Sequence, residues 1–317
     1  MSRAALTSLL GAELAQAAPE AARALATELA RRGGRATAAV LYYGSNLRAE
    51  SLDGILDFYV LLDDVDAWPG SPLAHLGNRL LPPNVGYIEL PYAGPAAGPV
   101  VLRAKYAVLS TAQFARRVRM TSVDTTIWAR FCQPALCAWR RSPADFDLVS
   151  GLMADAVITA ANWAARLGPD AAVAADFWRA LFARTYAAEL RVEKSARPQD
   201  IVGKHPQRYA ETLALAWIAA GIRSTEQANR ELQPVVSAGE RARANSQWRR
   251  RARWGRPLNV LRLVKAAFTF EGGMDYIAWK IERHRGIRIE VAPWQRRFPL
   301  LAAPGLYWKL RRQGVLR

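Results

Sequence analysis

The chain has 317 residues, 51% of them hydrophobic and 22% charged, and a formal net charge of +17. That much apolar material excludes a disordered chain and suffices for one large domain or two modest ones. Two cysteines, Cys132 and Cys137, exclude a disulfide framework and a four-cysteine zinc site, and only His75, His205 and His284 are available as imidazole ligands.

A reducing compartment fits this cysteine usage. No uncharged apolar run reaches the roughly 18 to 20 residues that cross a bilayer, and the N-terminus lacks the layout of a secretory signal. The expectation is neither an integral membrane protein nor an exported one. Residues 238–317 hold 19 Lys and Arg against 5 Asp and Glu, which is +14 of the formal +17. A basic block of this kind needs an anionic partner: nucleic acid, anionic lipid or an acidic protein surface.

Residues 1–35 place Ala, Leu, Arg and Glu at helical spacing and stop at Gly33-Gly34, which predicts one or two helices. Residues 36–43 are apolar and β-branched and end at Gly44-Ser45, a strand running into a tight turn. A second apolar run, 54–62, carries a single carboxylate, Asp57, between Leu56 and Phe58, and closes on Asp63, Asp64 and Asp66. Runs at 85–90 and 100–109 flank a Gly/Pro-rich connection at 91–99 and read as a hairpin. Past Ser110, a good N-cap, the pattern turns helical through 145–167, 171–190 and 206–220.

Chemistry concentrates where the glycine turn meets Asp57. Glycine lets backbone N–H groups approach a phosphate, and a carboxylate on an adjacent strand suits a metal-nucleotide site. A Gly-Ser pair also occurs in ordinary loops. A buried carboxylate costs several kcal/mol without a partner, so Asp57 is expected to be paired, metal-bound or at the strand end.

Taken in order, Gly44-Ser45, the strand from Ile55 to Val60 closing on Asp63-Asp64 and Trp68, and the strand from Arg103 to Ser110 resemble the mitochondrial-type CDP-diacylglycerol synthases. These belong to the translocator assembly and maintenance family, a branch of the polymerase-beta-like nucleotidyltransferases. Asn84-Val85-Gly86-Tyr87, the segment from Trp128 to Pro134, and Glu189 to Arg191 with Ile201-Val202 extend the likeness over about residues 36–215. The resemblance implies an α+β fold with a nucleotidyltransferase mixed sheet, a helical winged-helix-like domain, and transfer of CMP from CTP to phosphatidate with Mg2+. It implies that Gly44 and Ser45 cradle the triphosphate, Asp57 holds the metal and Lys105 neutralises the transferring phosphoryl group. Arg130 and Arg191 become phosphate contacts.

One departure is plain. Relatives present two carboxylates one residue apart and a third on a later strand, whereas Ile55 and Tyr59 flank Asp57 here; Asp53, Asp63, Asp64 and Glu89 are the available second ligands. Asn46 stands where the family usually has a second glycine.

The tail holds Trp248, Trp254, Trp279, Trp294 and Trp308 among Arg249-Arg250-Arg251, Arg296-Arg297 and Arg311-Arg312. Tryptophan beside arginine suits a lipid headgroup boundary, and the uncharged stretch 298–308 is short enough for shallow insertion. A solvated helical face and a single-strand nucleic-acid binder are the competing readings; the apolar stretch favours lipid. The expected organisation is N-terminal helices at 1–35, a nucleotidyltransferase domain at 36–140, a helical domain at 141–237 and a membrane-associating extension at 238–317. The expected place is the cytoplasmic face of a bacterial inner membrane. The rival functions are transfer to another acceptor, such as nucleic acid or a small phosphorylated molecule, and an inactive membrane-bound adaptor.

Overall fold

The apolar runs pair as their alternation demands. In the computed structural model, which describes residues 2–49, 54–93, 100–188, 201–227, 230–285 and 290–297, five strands form one sheet. These are β1 (Thr37–Tyr43), β2 (Leu56–Leu62), β3 (Asn84–Tyr92), β4 (Val100–Ser110) and β5 (Ala135–Arg140). Their order is β3-β4-β2-β1-β5; β2 and β4 run parallel and every other neighbouring pair antiparallel. The protein is therefore α+β around a mixed sheet. Strand β5 has no counterpart in the expectation from sequence, because a six-residue edge strand directly after Pro134 carries little periodic signal.

The period of two along β2 divides the core. Leu56, Phe58, Val60 and Leu62 face α2 (Glu20–Gly33), whereas Tyr59 and Leu61 face a helical layer. That layer contains α1 (Ser2–Leu14), α5 (Thr111–Arg117), α6 (Thr126–Phe131), α7 (Pro143–Leu167), α8 (Ala174–Ala188) and α9 (Pro206–Ala219). The two N-terminal helices thus serve opposite faces of the sheet. Arg208 on α9 donates to the Cys132 carbonyl at 3.0 Å and is ion-paired with Glu13 of α1. Ser110 and Gln113 form a reciprocal cap at the start of α5. Helix α7 is long and apolar enough to cross a membrane, but 72% of that stretch is buried inside the fold, as expected of a core helix.

Two short helices, α3 (Ser45–Ala49) and α4 (Pro72–Leu80), flank the sheet, and an antiparallel ribbon of β6 (Ser224–Glu226) and β7 (Leu232–Pro234) follows α9. The basic segment then begins as α10 (Ala238–Thr269), with a capping box of Ser237 and Glu240. Trp248 of α10 is buried edge-on against Trp128 and Trp163. Arg251, only 6% exposed, donates to the Ser122 and Met120 carbonyls. Farther along, Arg262 pairs with buried Asp124, and Lys265 donates to the Leu81 and Pro83 carbonyls at 2.7 and 2.6 Å. Helices α11 (Gly273–Arg285) and α12 (Pro293–Arg297) complete the described chain.

Candidate functional site

Gly44 follows β1 with φ +101°, the left-handed region that favours glycine, and a Cβ there would lie 3.0 Å from Asp57 Oδ2. Asp57, second in β2, pairs with Tyr43 on one side and Lys105 on the other, and Lys105 pairs with Tyr87 of β3. Residues opposite one another on neighbouring strands share a face. Tyr43, Asp57, Lys105 and Tyr87 therefore form one row, on the face that farther inward buries Tyr59, Leu61, Ala107 and Leu109 under the helical layer. At this end the cover thins, and both Asp57 and Lys105 are half-buried. Asp57 is thus at the strand end, one of the three situations its sequence context allowed.

Arg130 of α6 joins the row from the inner side. Its Nη1 donates to the Tyr59 hydroxyl at 3.1 Å, and its guanidinium lies 5.9 Å from the Tyr43 ring centre. On the outer side the Lys105 ammonium is 5.9 Å from the ring of Tyr276 on α11, which packs against Tyr87 at 5.7 Å. The Tyr87 hydroxyl donates to Glu89 at 2.7 Å, and Arg103 donates to the same carboxylate at 3.1 Å. Burial first, and then the neighbouring Glu89, push the Tyr87 phenol far above its ordinary range. Across the sheet, burial and then the charge of Asp57 raise Tyr42 to about 12.

Of the residues singled out from sequence, Gly44, Asp57, Lys105 and Arg130 meet at this end of the sheet. Ser45 is adjacent in the chain, with an exposed side chain. Arg191 and Asp53 lie outside the described residues. The other carboxylates do not assemble with Asp57. Asp63 follows the far end of β2, six residues on and roughly 20 Å away at strand rise, held by Arg141 at 2.5 Å. Asp64 caps the 3-10 turn Val65–Ala67 by accepting from the Asp66 amide. Glu89 is engaged by Tyr87 and Arg103. Among the described residues no three His, Cys, Asp or Glu side chains group to hold a metal. One carboxylate does suit Mg2+ carried in by a nucleotide, since this cation is commonly held by one or two carboxylates together with substrate phosphates. Burial pushes the thiols of Cys132 and Cys137 up to about 12 and about 11, so neither supplies a thiolate nucleophile.

Tyr43, Tyr87 and Tyr276 belong to this neighbourhood, and the sequence assigns none of them a role in the site. For the two strand tyrosines the signal is register, which sequence alone does not set. The tail also divides differently from the expectation. Trp248 and Arg251 are core residues, whereas Trp254 and Trp294 are 51% and 54% exposed. Exposed Val260, Leu261, Leu263, Val264 and Phe268 line the second half of α10. The stretch 298–308, including Trp308, lies outside the described residues. A comparison with protein-family models gives no match for this chain, and a comparison with curated proteins gives none.

Proposed function

We propose that the protein is a phosphatidate cytidylyltransferase, transferring CMP from CTP to phosphatidate to give CDP-diacylglycerol and pyrophosphate. The observation that supports it is the register row: a left-handed glycine turn against Asp57, with Lys105 directly beside it and Arg130 one step inward. The finer fold reading, a polymerase-beta-like nucleotidyltransferase core with a winged-helix-like unit, is supported by two features. The Gly-Ser turn is followed by an aspartate on the antiparallel neighbour, and α8, α9 and the β6–β7 ribbon come in sequence.

In this reading a phosphatidate oxygen forms a bond to the α-phosphorus while the bond to the bridging oxygen of the departing pyrophosphate breaks. That oxygen is already largely ionised near neutral pH, since a phosphate monoester has a second pKa of about 6. No general base is required, which suits a row with a single acid. Asp57 together with phosphate oxygens would hold Mg2+, which would shield the phosphates and fix their geometry. Lys105 neutralises charge on the transferring group, and Arg130 takes a phosphate oxygen. Gly44 and Ser45 present the chain reversal on which the triphosphate rests. The exposed apolar side chains of α10, set among arginines, support attachment to anionic lipid, each cation near such a surface adding about 1 kcal/mol.

The test is pyrophosphate release from CTP and ATP with Mg2+ and phosphatidate vesicles. Release with CTP, little with ATP, and loss in Asp57→Asn with unchanged unfolding are the expected results. Retained turnover in Asp57→Asn removes Asp57 from the site, and product on an RNA end shifts the acceptor. That one carboxylate stands in the row among the described residues favours one second reading, an inactive nucleotide-fold adaptor. That reading is supported if the inert protein still floats with anionic vesicles.

A further inference from the structure

Helix α11 belongs to the basic tail, yet it lies over the same sheet face as Asp57 and Lys105. Its start is fixed by backbone chemistry. Tyr87 donates its amide to the Glu271 carbonyl at 2.8 Å, and the Glu271 carboxylate accepts from the Tyr106 hydroxyl at 2.6 Å and pairs with Arg32 at 3.2 Å. Gly272 makes the approach close: with φ +70°, a Cβ there would stand 2.5 Å from the Tyr87 carbonyl oxygen. Helical spacing then presents Tyr276, Trp279 and Arg283 to the sheet. Tyr276 meets Lys105; Trp279 has the guanidiniums of Arg103 and Arg283 at 5.9 and 5.3 Å from its rings. Arg283 reaches the space beside Gly54, where a Cβ would lie 2.6 Å from its Nη1.

Gly54 precedes Asp57 by three residues, at most about 10 Å of extended chain. Arg103 is balanced by Glu89. Lys105, paired in register with Asp57, and Arg283, beside Gly54, thus lie at the same end of the sheet. An exposed arginine steadied by a tryptophan face and aimed at a glycine is suited to a phosphate, which guanidinium grips through two parallel donors.

We infer that α11 is a wall of the site and that Arg283 binds a phosphate group of substrate, oriented by Trp279. The assignment rests on the nucleotide-transfer reading for the identity of the substrates, but not for the existence of a phosphate site. The phosphate belongs either to the nucleotide or to the lipid acceptor.

The test measures binding by the full chain with Mg2+ in two arms, CTP with inorganic triphosphate in one and short-chain phosphatidate in mixed micelles in the other. Arg283→Ala is expected to weaken binding about 10- to 100-fold in one arm, with Arg283→Lys intermediate and the thermal unfolding midpoint unchanged. The arm that moves identifies the phosphate. Wild-type affinity retained by Arg283→Ala in both arms overturns the assignment, as does a wild-type protein that binds in neither. Loss of phosphate binding in Arg283→Ala without any CDP-lipid formation by the wild type supports this site and removes the transferase reading. CDP-lipid formation with kinetics untouched by Arg283→Ala does the reverse.

Discussion

A methyl group on Gly44 would stand 3.0 Å from Oδ2 of Asp57. The bare α-carbon of one residue is what lets the carboxylate of the other lie against the chain reversal. Gly44→Ala meets two penalties at once, a left-handed backbone at φ +101° and a crowded acid. A stability loss of about 1–2 kcal/mol in urea unfolding is expected, with turnover falling at least about tenfold as the carboxylate is displaced. Unchanged values of both would show that the turn tolerates a side chain.

Lys105 stands beside Asp57 without belonging to the apolar core. Lys105→Met should leave the unfolding midpoint nearly unchanged and lower kcat for pyrophosphate release by about 10²- to 10³-fold, the usual effect of removing one electrostatic contact to a reacting group. An effect confined to KM would make it a ground-state contact only.

Asp124 carries a different kind of burden. Burial alone would raise its carboxyl, but the charges of Arg262 and Arg117 and the hydrogen bonds from Arg262 and Thr126 outweigh that and hold it far below the ordinary 3.8. The stabilisation is complete above that ordinary value, because the unfolded acid is then ionised too, and is lost as pH falls below it. Asp124→Asn leaves two cations facing a neutral amide and should cost about 3–5 kcal/mol near neutral pH. Denaturant unfolding at pH 7 and near pH 3 should show the gap between variant and wild type narrowing in acid; a constant gap would contradict the charge account.

Trp248 and Trp254 separate core from surface within one helix. Trp248→Ala should destabilise by about 3–5 kcal/mol, because its ring fills the space between Trp128 and Trp163. Trp254→Ala should change stability by less than about 0.5 kcal/mol and weaken flotation with anionic vesicles. Equal stability losses would merge the two roles.

The four main strands and the helices α1, α2, α7, α8 and α9 are legible in the sequence because their apolar residues follow one period, whereas the 32-residue α10 is hidden behind the composition of the tail. Asp57 is legible for the same reason, as a polar residue in an apolar strand. Register is a different matter. That Asp57 neighbours Lys105 depends on how β2 and β4 slide against each other, a choice made by the whole sheet and marked by no local motif. Gly86 illustrates the limit: its reason is the Tyr106 ring across the strand pair, 2.3 Å from where a Cβ would be. The tail misleads for a related reason, since Trp248 and Trp254 share a composition and differ only in which way the helix turns them. Arg283 gives no local signal, because its neighbours are Gly54, just ahead of β2, and Trp279 of its own helix, reached through a turn pinned at Gly272.

Helix α10 converts surface charge into mechanics. Its 32 residues, roughly 48 Å of rod at 1.5 Å each, are bolted to the helical layer through Trp248 and Arg251 and to the flank of the sheet through Arg262 and Lys265. Under the proposed lipid attachment, a pull on its outward arginines would act on a shaft that ends at Thr269, three residues before Gly272. Amputating the chain ahead of this rod would take Tyr276 from beside Lys105 and Arg283 from beside Gly54 as well as strip the charge, so anchorage and turnover are expected to fail together.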